Sequence, residues 1–166
     1  MSIEFSAGDI FDAKTDAIIN PVNCVGVMGK GLALEFKKRF PISSKGYIEA
    51  CARNIVKIGE LFVFTPTRDP WWRENGKYVI HFPTKKHWRD PSKLEYVESG
   101  VQDFGRVFRS LKIKSVAIPA LGCGCGGLDW EIVKPVIMEG LRYVDEKIKV
   151  VLFEPEKQKE PFLRDL

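Results

Sequence analysis

The sequence predicts one α/β domain, with a mixed, mostly parallel central sheet and helices on both of its faces. Three observations predict it. Apolar runs of strand length alternate with segments of helical spacing along the whole chain. Two of the runs, Ala17–Asn20 and Ser115–Ala120, are apolar without alternation, as strands buried on both faces are. Each is followed by a glycine-rich loop and then a helix start, which puts two ligand-sized loops at the carboxyl edge of an open sheet.

Taken in order, Ile3–Phe5 reads as a short first strand, and Ala17–Asn20 as a buried strand entering a loop. Leu32–Arg39 has helical spacing with basic residues in its last turn, and Pro41 stops it. Ser43 or Ser44 is suited to cap a second helix through Ala52. Leu61–Thr65 and Tyr78–Phe82 read as strands, each followed by proline. Ser92 is the expected cap of one long helix reaching Leu111, with Leu94, Val97, Val101, Phe104 and Phe108 as its apolar stripe. After the Ser115–Ala120 strand, Asp129 caps a helix from Trp130 to Val144, and Ile148–Phe153 closes the sheet. Residues 1–155 form the domain on this reading, and 156–166 a polar tail.

Composition narrows the function classes. The 166 residues suffice for one core without staples. No apolar run approaches the roughly 20 residues that span a bilayer, so no membrane association is expected. Met1-Ser2-Ile3-Glu4 lacks the basic-then-apolar pattern of a secretory signal. The four cysteines form no Cys-x-x-Cys pair and only two histidines are present, so no metal site and no cofactor are expected. The expected protein is a cytoplasmic monomer with free thiols. Net charge is only +4, but between Lys77 and Lys114 nine Lys/Arg face four Asp/Glu, with His87 and Trp88 in the densest part. Basic residues interleaved with aromatics suit a single nucleic-acid strand. A solvated helix face explains the helical part of that stretch, and both readings stand for Lys85–Arg89.

The chemistry sits in the two loops. The first runs from Asn20 through Asn23, Gly26 and Gly29-Lys30-Gly31, and the second is Leu121-Gly122-Cys123-Gly124-Cys125-Gly126-Gly127. Glycines between a strand end and a helix start let backbone N–H groups turn toward a phosphate, helped by the helix dipole. Two such loops at one edge would clamp a diphosphate from both sides. Neither is a Walker A sequence, and neither is a Gly-x-Gly-x-x-Gly that opens the first helix.

Gly8-Asp9-Ile10, Asp16-Ala17-Ile18-Ile19-Asn20-Pro21-Val22-Asn23, Gly29-Lys30-Gly31-Leu32-Ala33 and Pro119-Ala120-Leu121-Gly122-Cys123-Gly124 resemble the macrodomain signature in order and spacing, from about Ile3 to Phe153. The resemblance implies a three-layer α/β/α fold and an ADP-ribose ligand. It implies that Asp9 accepts a hydrogen bond from the adenine amino group beside the Ile10 N–H, Asp9 being equally suited to cap a helix. It sets Asn20 and Asn23 near the distal ribose, Asn23 nearer the ligand and Asn20 tying the loop. Gly29, Lys30 and Gly31 then flank one phosphate side, and Gly122, Cys123, Gly124, Cys125 and Gly126 hold the pyrophosphate. No histidine stands near the loop cysteines in sequence, which argues against a thiol nucleophile.

His81-Phe82-Pro83-Thr84-Lys85-Lys86-His87-Trp88-Arg89 is similar to the Phe-Pro-Thr-Lys-x-His-Trp segment of DarG-type antitoxin macrodomains, which remove ADP-ribose from thymidine in single-stranded DNA. A related branch, the terminal ADP-ribose protein glycohydrolases, pairs that lysine with an aspartate in the second loop, where this chain has Gly126. The resemblance implies that Lys85 is catalytic, as a base or nucleophile at C1″ of the distal ribose or as a fixed positive charge. In an extended segment Lys85 and Lys86 point to opposite sides. Lys86, His87, Trp88 and Arg89 are then candidates to hold the DNA strand, Trp88 being equally a core residue. Trp71 and Trp72, beside Arg73, read first as a packed strand-edge pair and second as another stacking platform. The implied partners are ADP-ribose or ADP-ribosylated single-stranded DNA, and an ADP-ribosyltransferase toxin. DarG-type antitoxins also carry a toxin-binding domain, for which 166 residues leave no room. The competing readings are an ADP-ribose reader without turnover and a hydrolase acting on modified glutamate in protein.

Overall fold

The structure is a computed structural model and describes residues 2–156. The expected tail at 156–166 lies outside the described residues but for Glu156. Five strands form one sheet in the order β1 (Ser2–Ser6), β5 (Lys149–Phe153), β4 (Ser115–Ile118), β2 (Ala17–Asn23) and β3 (Tyr78–Lys85). The helices are α1 (Gly31–Arg39), α2 (Pro41–Ala52), α3 (Leu94–Val101), α4 (Phe104–Leu111) and α5 (Trp130–Leu141), with a 3-10 turn at Ile10–Asp12.

Side chains alternate across the sheet with the period of two that strands impose. Ala17, Ile19, Ile80, Phe82, Val116, Ile118, Val150 and Leu152 join one core cluster, with Val97, Phe104, Phe108, Val133 and Ile137 of α3, α4 and α5. Ile18, Val22, Val79, Ala117, Val151 and Phe153 join the other, with Phe36, Tyr47 and Ala50 of α1 and α2. Both faces are covered, so the strands carry continuous apolar runs and the free space for a ligand lies at the strand ends.

Several expectations are corrected. All strand pairs are parallel, so the sheet is not mixed. Leu61–Thr65 contributes only an isolated antiparallel bridge between Phe62 and His81. The Asp103 carboxylate takes the Leu61 N–H at 2.9 Å, which removes a ladder donor at the start of that segment. The Ser92–Leu111 helix is two helices. Asp103 stands at the break, where its carboxylate also holds the Arg106 guanidinium. Ser92 caps neither of them; Lys93 precedes α3 without a side-chain cap. Ser43 and Ser44 lie inside α2, which starts with Pro41 at its first turn. Asp129 caps α5 as expected, accepting from the Glu131 N–H at 3.0 Å, and the helix ends at Leu141 instead of Val144.

The cap of α2 comes from elsewhere in the chain. Glu74 is buried, and its two carboxylate oxygens accept the Ile42 and Ser43 N–H groups at 2.9 and 2.8 Å. Replacement by alanine leaves both donors without that partner, the Ser43 N–H in a buried position. Glu74→Ala is expected to cost about 1–3 kcal/mol in urea unfolding, and an unchanged midpoint would remove the cap from the account.

Candidate active site between two glycine loops

The carboxyl ends of β2, β3 and β4 deliver the site. After β2 the chain turns through residues 24–30 into α1, and Asn23 staples that turn. Its Oδ1 accepts the Val25 and Val27 N–H groups at 3.1 and 3.3 Å, and its Nδ2 donates to the Val27 carbonyl at 2.8 Å. The fully buried Tyr47 donates its hydroxyl to the Asn23 carbonyl at 2.6 Å. Burial raises the Tyr47 pKa far above its ordinary value, so it remains a donor. Asn23 is therefore the keystone of the loop, with most of its amide already engaged. Gly31 opens α1 with φ +64°, and a Cβ there would lie 3.0 Å from the Cys125 Sγ, so the two glycine loops meet at this point.

The second loop follows β4. Gly122 and Gly127 have φ of +76° and +78°, a region that only glycine enters freely. Gly124 and Cys125 are exposed, and Gly126 is buried. A Cβ at Gly126 would collide with the Ser92 Oγ and the Gly122 carbonyl. Ser92 also donates its N–H to the Gly126 carbonyl at 3.0 Å, so it clasps the loop from behind.

Lys85 ends β3 and pairs across the ladder with Asn23, just past a bulge. Its Nζ lies 3.0 Å from the Cys125 carbonyl and 3.5 Å from the Trp88 carbonyl. The lysine thus spans from the strand that borders the first loop to the backbone of the second. Lys86 diverges from it, with its Nζ 5.8 Å from the Tyr96 ring, while its carbonyl accepts the Cys24 N–H. His87 stacks on Trp88 at 5.5 Å between centroids, and the Arg89 guanidinium lies 4.7 Å from the Trp88 ring. Trp88 is 44% exposed and is not a core residue. Trp71, expected to pack, is exposed too, with the Lys112 ammonium 5.1 Å from its ring.

Asp9 is a cap in this structure: it accepts the Phe11 N–H at 2.9 Å. It also faces Arg39 at 3.7 Å, and that guanidinium covers the Phe11 ring. Ile10 is buried beneath it. Gly29 and Lys30 are exposed at the start of α1. Asn20 is fully buried. Its Nδ2 lies 3.2 Å from the His81 Nδ1, its partner in the β2–β3 register.

A family model described as a Macro domain matches residues 19–137. The chain belongs to the macrodomain family. This macrodomain is 46% identical over 153 residues to a DNA ADP-ribosyl glycohydrolase of Mycobacterium tuberculosis, covering 92% of the chain and 42% of that protein. The chain therefore spans about two fifths of the curated relatives it matches first. Among solved structures, the macrodomain of Mycobacterium tuberculosis DarG superposes with a TM-score of 0.83 at 46% identity, covering 93% of this chain and 98% of that one. Thermosipho africanus DarTG in complex with ADP-ribose superposes with a TM-score of 0.81 at 31% identity, covering 98% of this chain and 44% of that one.

Cys24 and Cys123 are poor nucleophile candidates. Burial pushes Cys123 up to about 11, helped by the negative charge of Asp129, and raises Cys24 as well. Among the described residues no group of three or more His, Cys, Asp or Glu is arranged to hold a metal.

Tyr47, His81 and Ser92 are the supporting residues that sequence reasoning missed. His81 stacks on Tyr47 at 5.0 Å, and burial pushes its pKa down to about 3. Below its ordinary pKa near 6.5 the unfolded chain takes up a proton that folded His81 refuses. The stability this neutral imidazole contributes is complete above that pH and is lost as pH falls from about 6.5 toward 3. Wild type is expected to lose up to about 1.4 kcal/mol more per pH unit in that window than His81→Asn, by urea unfolding. Parallel curves would show that His81 accepts the proton while folded.

Proposed function

We propose that this macrodomain binds ADP-ribose between its two glycine loops and hydrolyses it from modified bases in single-stranded DNA. One observation carries the reading: the Lys85 amine lies 3.0 Å from the backbone of the second loop, at the point where the first loop also arrives. The names of the similar proteins support it, as does the His87-Trp88-Arg89 stack beside Lys85, in which Trp88 and Arg89 are exposed. ADP-ribose would lie with its pyrophosphate over Gly122–Gly126 and its distal ribose toward Lys85. The Lys85 amine attacks C1″ of the opened ribose, the bond from C1″ to the base breaks, and the base leaves with a proton. Water then hydrolyses the imine, which releases ADP-ribose and restores the amine. Lys86 and Arg89 hold the strand by its phosphates and Trp88 by stacking. The partner implied is a transferase that writes the modification.

The glutamate-directed reading is less favoured, because its loop acid has no room at Gly126. The test is turnover by the same preparation on ADP-ribosylated single-stranded DNA and on protein modified at glutamate. Release from DNA alone supports the proposal. Release from protein alone, or from neither, overturns it.

Asp9 is proposed at the adenine end, beside the Ile10 N–H. Asp9→Ala is expected to weaken ADP-ribose binding by about 1–3 kcal/mol in calorimetry. Unchanged affinity would leave it only the cap of the Ile10–Asp12 turn.

A further inference from the structure

At the opposite edge of the sheet, where β4 and β5 begin, lies a cavity of about 300 Å³. Its rim carries Arg109, Lys112, Lys114 and Lys147, all exposed. Among the described residues none of the four has a carboxylate within ion-pairing distance. The one acid in the lining, Asp145, spends an oxygen on the Lys147 N–H at 2.9 Å. Arg109 and Lys112 also complement the carboxyl end of α4, which accounts for two of the four cations. Lys114 and Lys147 stand in the loops entering β4 and β5 and answer to no helix end. Beside the cavity, the Lys112 ammonium lies 5.1 Å from the centre of the Trp71 ring, and Trp71 is 43% exposed.

Four unpaired like charges around one concavity repel each other, and a polyanion relieves that repulsion. The exposed indole next to them distinguishes among polyanions, because it offers a face on which a base stacks and an acidic peptide has none. We infer that this edge is a second binding surface for single-stranded nucleic acid, in which Arg109, Lys112, Lys114 and Lys147 hold phosphates and Trp71 stacks a base. It lies at the amino ends of β4 and β5, whereas the cleft lies at the carboxyl ends of β2, β3 and β4. It is thus distinct from the Lys86–Arg89 stack, and it does not require that the cleft be hydrolytic.

The test uses an unmodified single-stranded DNA 30-mer and fluorescence anisotropy across a salt series. The variant Arg109→Gln/Lys112→Asn/Lys114→Gln/Lys147→Gln removes the charges, with asparagine chosen at position 112 because the backbone there has φ 52°. Trp71→Ala is the second, independent variant. Both are expected to bind the 30-mer at least tenfold more weakly at low salt. The quadruple variant is expected to lower the slope of log affinity against log salt by about 3. ADP-ribose affinity, which reads the cleft, is expected to stay unchanged in both. Wild-type DNA affinity and salt slope in the two variants would overturn the inference. So would poly-glutamate that displaces the DNA and loses its own affinity equally in both variants, since the surface would then dock an acidic protein.

Discussion

Lys85→Ala is expected to lower release of ADP-ribose from modified single-stranded DNA by about 10²–10⁴-fold, while ADP-ribose binding changes by less than about twofold. The split follows from the geometry. Ground-state contacts would come from the glycine loops and the α1 N-terminus, which other residues fix: Asn23 and Tyr47 hold the first loop, and Ser92 clasps the second, to which Lys85 adds one bond at the Cys125 carbonyl. The amine acts only at the reacting carbon, so its loss appears in turnover and not in binding. Lys86→Ala is expected to do far less to the chemistry, because its Nζ lies over Tyr96. Borohydride added during turnover would trap a covalent adduct on Lys85 if the imine forms. A Lys85→Ala protein that turned over at the wild-type rate would sink the catalytic assignment and favour a reader of ADP-ribose.

The parts of this site that were legible in the sequence are those set by local chemistry. Apolar runs marked β2 and β4, glycines marked the loops, and Asp129 marked the start of α5. Alternation in an extended segment separated Lys85 from Lys86. Local rules also misled. Pro83 suggested that β3 ended at Phe82, yet β3 continues to Lys85. It is the edge strand, where a residue without an N–H costs no ladder bond, and the extension carries Lys85 to the loops. What stayed hidden was long-range. Glu74 caps a helix that begins over thirty residues earlier, Asn20 turns inward because His81 lies opposite it on β3, and Ser92 serves a loop instead of its own helix. No periodicity reports such pairs, because each depends on a register or crossover that exists only after folding.

The Ser92–Gly126 clasp makes the other large expectation. Gly126→Asp, which installs the acid of the protein-directed branch, is expected to cost at least about 3 kcal/mol in urea unfolding and to abolish ADP-ribose binding. The new Cβ would meet the Ser92 Oγ on one side and the Gly122 carbonyl on the other. The carboxylate beyond it would stand where the loop is buried, and would draw the Lys85 amine away from the Cys125 carbonyl. The backbone must yield, and the backbone that yields includes Cys125, whose carbonyl holds Lys85. Adding Ser92→Gly removes only the side-chain half of the collision, so the double variant should recover part of the stability and little of the binding. A Gly126→Asp protein that unfolded at the wild-type midpoint and bound ADP-ribose normally would mean that the loop adapts freely. The absence of an acid there would then reflect no packing constraint, and packing at Gly126 would not disfavour glutamate-directed chemistry.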